Sequence, residues 1–188
     1  MILALSAFLI GFFVAVCYKT GWGADPITVF YAGLHLKTGI SLGLASTVVA
    51  LSMAVAAYFL DKKQVGLGTL ITPLFIQWGI DGGMSWLGGS SNLAVRILML
   101  TGGFIGLSAV VALNINCDLG RSAYDGLVLG LGKKLKRSYH FIRWFSDGLL
   151  LALGLWLGGS ASFANFLAFI ILGRMVDFFC ERWTALGF

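Results

Sequence analysis

The residues of this 188-residue chain that could do chemistry are few, and they lie among apolar neighbours. Arg143 and Asp147 stand four apart, which puts them on one helix face. Two readings fit: a self-neutralised pair that fixes packing, or a guanidinium that meets an anionic solute. Asp125 follows Ser122 by three; the serine suits a helix N-cap, and a carboxylate in the first turn is favoured by the helix dipole. That acid reads either as a capping group or as part of a site. A similar start recurs upstream in Gly23-Ala24-Asp25-Pro26, with Asp25 as cap, Pro26 at the first helical position, and Thr28 and Tyr31 close behind. The candidate solute-binding set is therefore Asp25, Thr28, Tyr31, Ser122, Asp125, Arg143 and Asp147. Arg174 with Asp177, Gln77 with Asp81, and Arg96 fall nearer the ends of apolar runs, where anchoring at a membrane surface is the simpler role.

Other chemistries find no support. His35 and His140 have no acidic or thiol neighbours at metal-ligand spacing, so no metal site is expected. Cys17, Cys117 and Cys180 are widely separated and form no CxxC, which reads as buried free thiols. There is no GxSxG, HExxH, Walker A or Rossmann pattern in a plausible setting; Gly66-Leu67-Gly68 lacks the preceding strand a nucleotide fingerprint requires. The expectation is a protein that is not an enzyme and carries no cofactor.

The elements that position these residues follow from composition. With 59% apolar residues and only 11% charged, the chain cannot cover a water-soluble globule and belongs in a bilayer. Its net charge of +5 records cytoplasmic loops rather than a nucleic-acid partner. Six apolar runs are long enough to cross: 2–18, 40–60, 66–87, 93–115, 141–157 and 161–179. The first lacks the basic start and small-residue cleavage site of a signal peptide and reads as a span. GxxxG pairs such as Gly126/Gly130 and Gly154/Gly158 signal close helix contacts.

An offset of 97 superposes Gly23 on Gly120, Gly33 on Gly130 and Leu34 on Leu131, and an offset of 96 places Asp81 on Asp177. Residues 1–88 and 97–188 thus read as two units with the same order: span, long connection, span, short loop, span. A unit of three spans must have a copy that enters from the opposite side, so the expected fold is all-α, six transmembrane helices in a 3+3 inverted-topology repeat. Each long connection holds a short helix, starting at Asp25-Pro26 and at Ser122-Ala123, too short to cross and therefore either re-entrant or interfacial.

These segments, GADPITVFYAGL and LKTGISLGLAS at Gly23 to Ser46 and DLGRSAYDGLVLGLGKK at Asp118 to Lys134, resemble the bacterial YczE/YyaS-like membrane proteins, relatives of the YitT group. The resemblance runs over nearly the whole chain, through Gly23, Asp25, Pro26, Thr28, Val29, Gly33, Thr38, Gly39, Ser41, Gly43, Gly66, Gly68, Thr69, Asp81, Asp125, Gly126, Leu127 and Arg143. Ala164 and Asn165 depart from the Gly-Thr that opens the third span. The resemblance implies a multi-span inner-membrane protein without naming a substrate. A small secondary transporter or permease is the leading expectation, and a non-transporting factor that assists assembly or regulation of another protein is the second. Expected partners are membrane lipids and a small solute, with a homo-oligomer compatible and nucleic acid excluded.

With a cytoplasmic N-terminus, inside segments hold Lys62, Lys63, Arg121, Lys133, Lys134, Lys136, Arg137 and Arg182, and outside ones only Lys19 and Lys37. Both termini are then cytoplasmic. A cysteine introduced at Gly89 is expected to react with an impermeant thiol reagent in intact cells, and one at Lys134 only after permeabilisation; the reverse pattern rejects this orientation.

Overall fold

The computed structural model describes residues 2–62, 65–116 and 122–185. These residues form α1 (Ile2–Lys19), α2 (Pro26–Thr38), α3 (Leu42–Leu60), α4 (Leu67–Trp86), α5 (Leu93–Asn116), α6 (Ala123–Leu135), α7 (Tyr139–Trp156) and α8 (Phe163–Ala185), with no strand among them. The helices match the six apolar runs and the two short connections to within a few residues. Cys117, Gly120 and Arg121 in the second connection, and Lys63, lie outside the described residues, as do the side chains of His140 and Asp177.

Three helices, α1, α3 and α5, are long and apolar enough to cross a membrane, and a fourth span follows if α8, bent by 40° between Leu172 and Arg174, counts as one. In α4 the threonines, Pro73, Gln77 and Asp81 dilute the apolar run, and in α7 His140, Arg143 and Asp147 do the same. Large apolar side chains nonetheless face outward: Phe59, Leu67, Trp86, Trp156 and Phe163 are each more than 70% exposed. Surfaces of this kind belong against lipid, and the chain is a helical membrane protein.

Helix ends carry their own partners, as a solvent without hydrogen-bonding capacity demands. The Asp25 carboxylate accepts from the Thr28 amide at 3.0 Å and Pro26 opens α2, which stops at Gly39 with φ 74°. Ser122 accepts from the Asp125 amide at 3.1 Å to open α6. Ser41 caps α3 and Ser138 caps α7, residues related by the same offset of 97. At 13 residues each, α2 and α6 are about 20 Å long.

Helix pairing recurs between the halves. α1 packs on α4 and α5 on α8; α2 lies on α7 and α6 on α3, so each short helix rests chiefly on the other half. A Cβ placed on Gly33 would come within 2.7 Å of Leu157 Cβ, and one on Gly130 within 2.9 Å of Leu60 Cβ, the same pair displaced by 97 residues. Two clusters of buried apolar residues result. One joins Val14, Cys17, Ile80, Leu100, Phe104 and Leu107 across α1, α4 and α5; the other joins Val49, Met53, Ala123 and Leu150 across α3, α6 and α7, with Phe30 of α2 against it. Tyr31 packs against both.

The α1–α4 seam depends on glycine at two depths. An added Cβ would overlap the Ile76 carbonyl oxygen at Gly11 and that of Phe8 at Gly79, whereas at Gly82, three residues on, it meets nothing within 4 Å. Gly79→Ala is therefore expected to destabilise the detergent-solubilised protein by about 3 kcal/mol through overpacking, and Gly82→Ala to leave it near wild type. Thermal unfolding of the two single-methyl variants checks the difference; equal midpoints contradict this packing.

Candidate functional site

The sequence left Arg143 with a partner on its own helix. The structure gives it a closer one. Arg143 Nη1 lies 2.5 Å from Asp125 Oδ1, across the α6–α7 contact, whereas its Nε is 3.8 Å from Asp147 Oδ2. The reading of Arg143 and Asp147 as a pair neutralised by themselves is thereby corrected: helical spacing fixes a shared face, but Asp125 approaches from another helix and takes the shorter contact. Asp147 is instead held by Tyr124, whose hydroxyl donates to its Oδ1. The Tyr124 ring also lies under the guanidinium, 4.8 Å from ring centre to the Arg143 Cζ, so one tyrosine serves the acid with its hydroxyl and the base with its face.

Ser122 sits at the exposed rim of this cluster. Its hydroxyl donates to Asp125 Oδ2 at 2.7 Å, leaving Oδ1 for the arginine. Asp125 thus has both roles the sequence offered it: it completes the first turn of α6 and it meets Arg143. Burial deepens inward, with side-chain exposure falling from 39% at Arg143 to 26% at Asp125 and 13% at Asp147.

From the opposite half, α2 brings Asp25, which is within electrostatic reach of Arg143, of Asp147 and of Tyr31. Asp25 also takes the buried Thr28 hydroxyl as well as its amide, so Thr28 faces its own cap and not the arginine. The start of α6 and the first half of α7 thus hold Tyr124, Asp125, Arg143 and Asp147 in direct contact, with two carboxylates on one guanidinium, and the buried Asp25 lies nearby at the start of α2.

The cluster has no charged counterpart in the first half. By the offset of 97, Ser46 stands where Arg143 does, Ala50 where Asp147 does, Ile27 where Tyr124 does and Thr28 where Asp125 does. Ser46 is buried and donates back to the Gly43 carbonyl at 2.7 Å. Tyr124 was missed in the sequence, although the exchange of Ile27 for a tyrosine beside the exchange of Thr28 for Asp125 is a legible signal.

Other polar residues hold the frame. Asn165 Oδ1 accepts from the Ser162 amide at 2.8 Å, as Thr69 Oγ1 accepts from the Gly66 amide at 3.1 Å; its spare amide nitrogen donates to the Asp25 carbonyl at 3.1 Å. Ser162 donates to the Trp22 carbonyl, and Arg96 binds the Thr20 carbonyl at 2.6 Å while its guanidinium covers Trp22 at 4.3 Å. Asp81 accepts from the Ser41 hydroxyl at 2.8 Å and the Gly43 amide at 3.0 Å, so it fastens the start of α3 to α4. His35 closes the α2–α3 turn through the Ile40 carbonyl at 2.5 Å. Cys17 is buried, and Cys180 is half-buried with its thiol 4.0 Å from the Ala112 carbonyl. Among the described residues no group of three or more His, Cys, Asp or Glu side chains could hold a metal ion.

Distance decides the expected energetics. A double-mutant cycle between Arg143→Gln and Asp125→Asn should give a coupling of about 1–2 kcal/mol, the exposed guanidinium keeping it below that of a fully buried pair. The cycle between Arg143→Gln and Asp147→Asn should give less than half of that. Unfolding in detergent measures both, and a larger coupling to Asp147 contradicts the geometry.

Comparison with known proteins places the chain among relatives whose roles are open. It is 25% identical over 178 residues to an uncharacterized protein of Haemophilus influenzae, covering 95% of this chain and 81% of that one. No solved structure matches it. Residues 1–181 match DUF6198, a family of unknown function, and the chain belongs to that family.

Proposed function

We propose that this protein is a small secondary transporter or permease of the inner membrane, moving a small solute past the cluster of Asp25, Tyr31, Tyr124, Asp125, Arg143 and Asp147. The observation that carries the reading is the cluster of Tyr124, Asp125, Arg143 and Asp147 at the start of one short helix, amid apolar helices and with the buried cap of the other short helix nearby. Broken or short helices whose ends face a shared polar centre are how many transporters bind a solute at mid-depth. Charged groups among apolar helices are expensive, and a route for solute or ions is the common reason to keep them.

The full architecture belongs to the same proposal: six spans, units 1–88 and 97–188 related by an axis in the membrane plane, both termini cytoplasmic, and kinship with the YczE/YyaS-like proteins. The matched pairs Gly33–Leu157 and Gly130–Leu60 and the exchanged short helices support it. Arg143 already meets two acids, Asp125 and Asp147, which favours a cationic solute or a coupling cation over the anion contact suggested by Arg143 alone. The charged half of the site then does the binding, and the neutral half, around Ser46 and Ala50, lets the helices slide.

The second reading, a non-transporting assembly or regulatory factor, draws on the same contacts: Arg143 has acidic partners on both sides and holds α6 to α7 without any solute. Flux separates the two. Protein reconstituted into liposomes containing a pH-sensitive dye should respond to at least one member of a panel of amines, amino acids, carboxylates and inorganic cations. Asp147→Asn with Tyr124→Phe, which removes a charge and its donor together, should fold and cut that flux more than tenfold, an effect of at least about 1.4 kcal/mol on the rate-limiting barrier. A folded double variant with undiminished flux overturns the site, and a panel without flux beside stoichiometric co-purification of another membrane protein favours the second reading.

A further inference from the structure

The basic residues at the far end of α6 are not accounted for by the central cluster. Leu129, Gly132, Lys133, Lys136 and Arg137 line an open groove of about 280 Å³ at that end. Lys133 bonds to Asp61 at 2.5 Å, which ties the end of α6 to the end of α3 and brings Lys62 to the same region. With Lys134, the group holds five basic residues against one acid. Cations at a helix C-terminus complement its dipole, and that accounts for some of this charge. It does not account for Lys136.

Lys136 has φ 53° and ψ 40°, the left-handed cap position that glycine fills without strain. It has the single positive φ at a non-glycine residue among the described residues. Its amide and that of Arg137 both donate to the Gly132 carbonyl, so the strained turn closes the helix and turns two consecutive basic residues around the groove. Holding a side chain at a position where glycine is easier costs strain, and strained positions concentrate at ligand-binding sites. The surroundings state the partner's chemistry. Leu129 gives the groove an apolar wall, Leu135 and Phe141 are each 56% exposed beside it, and the Arg137 guanidinium lies 5.6 Å from the Phe141 ring centre. A positive lip on an outward apolar surface fits an amphiphile with an anionic head.

We propose that this groove binds the phosphate-bearing headgroup of an anionic membrane lipid, held by Lys136 and Arg137 with its chains along Leu129, Leu135 and Phe141. Basic pockets at the ends of membrane helices recognise such headgroups by charge, and the contact anchors the α6 end at the bilayer surface. This site is independent of the transport reading and stands or falls without it.

Native mass spectrometry of the detergent-solubilised full chain tests it, with phosphatidylglycerol, phosphatidylcholine and inorganic phosphate as separate additions. Phosphatidylglycerol should be retained and phosphatidylcholine lost, and the paired variant Lys136→Gln, Arg137→Gln should weaken retention by roughly tenfold. Lys136→Gly is the sharper variant: relieving the left-handed strain, it should unfold at a temperature no lower than wild type and still lose lipid. Equal retention of the two lipids, or undiminished phosphatidylglycerol in either variant, overturns the proposal. Displacement of phosphatidylglycerol by millimolar inorganic phosphate overturns its lipid part and leaves a site for free phosphate.

Discussion

The packing of each short helix against the far half of the molecule is the constraint on which everything else hangs. A helix of 13 residues is marginal on its own, so it needs a cap at one end, a stop at the other and a wall along its side. α2 finds its wall on α7 and α6 on α3, and both approach at a glycine, Gly33 or Gly130, where the backbone comes against a leucine Cβ. No larger residue fits at that depth without moving the facing helix. Because each short helix is seated in the other half, neither half can close its own core, and the two N-termini are carried towards the same region.

The second consequence is where charge is allowed. Two equivalent junctions exist, α2 with α3 and α6 with α7, but just the latter carries ions. Ile27 and Ala50 fill with methyl groups the space that Tyr124 and Asp147 fill with a hydrogen bond. A symmetric pair of such clusters would add a second guanidinium at position 46 and two further carboxylates at positions 28 and 50, and each unmatched charge would be costly. Confining ions to one copy leaves the other apolar enough to hold the scaffold, with Val49, Met53 and Ala54 of α3 packed where α7 has Ser146, Leu150 and Leu151.

How far the sequence could be read follows from the range of each interaction. Caps act over three residues, so Asp25-Pro26 and Ser122 announced helix starts that the structure bears out, while the caps Ser41 and Ser138 came to light in the structure. Apolar run length announced the helices themselves. What stayed hidden was contact between helices: i,i+4 spacing placed Asp147 on the face of Arg143 but could say nothing of Asp125, which is 18 residues away and closer in space. Arg96 and Asp81 misled in the other direction. Both looked like surface anchors, and both turn out to bind backbone groups of a neighbouring segment, because a loop between buried helices also needs its carbonyls and amides satisfied.

Asn165 shows how a departure in pattern acquires a role. At this position its relative Thr69 has one hydroxyl, enough to accept from the amide that precedes the helix. An asparagine does that with its oxygen and still has an amide to give, and the recipient is the carbonyl of Asp25. Gly23, with φ 76° and no Cβ, allows the approach, since a Cβ there would lie 2.8 Å from the Asn165 nitrogen. The cap of α2 is therefore fastened to the start of α8, while the carboxylate of the same residue stays within reach of Arg143. Any rotation of α8 relative to α2 must stretch or break that bond. The loop from Thr20 to Asp25 is thus fastened to α5 by Arg96 and to the start of α8 by Ser162 and Asn165.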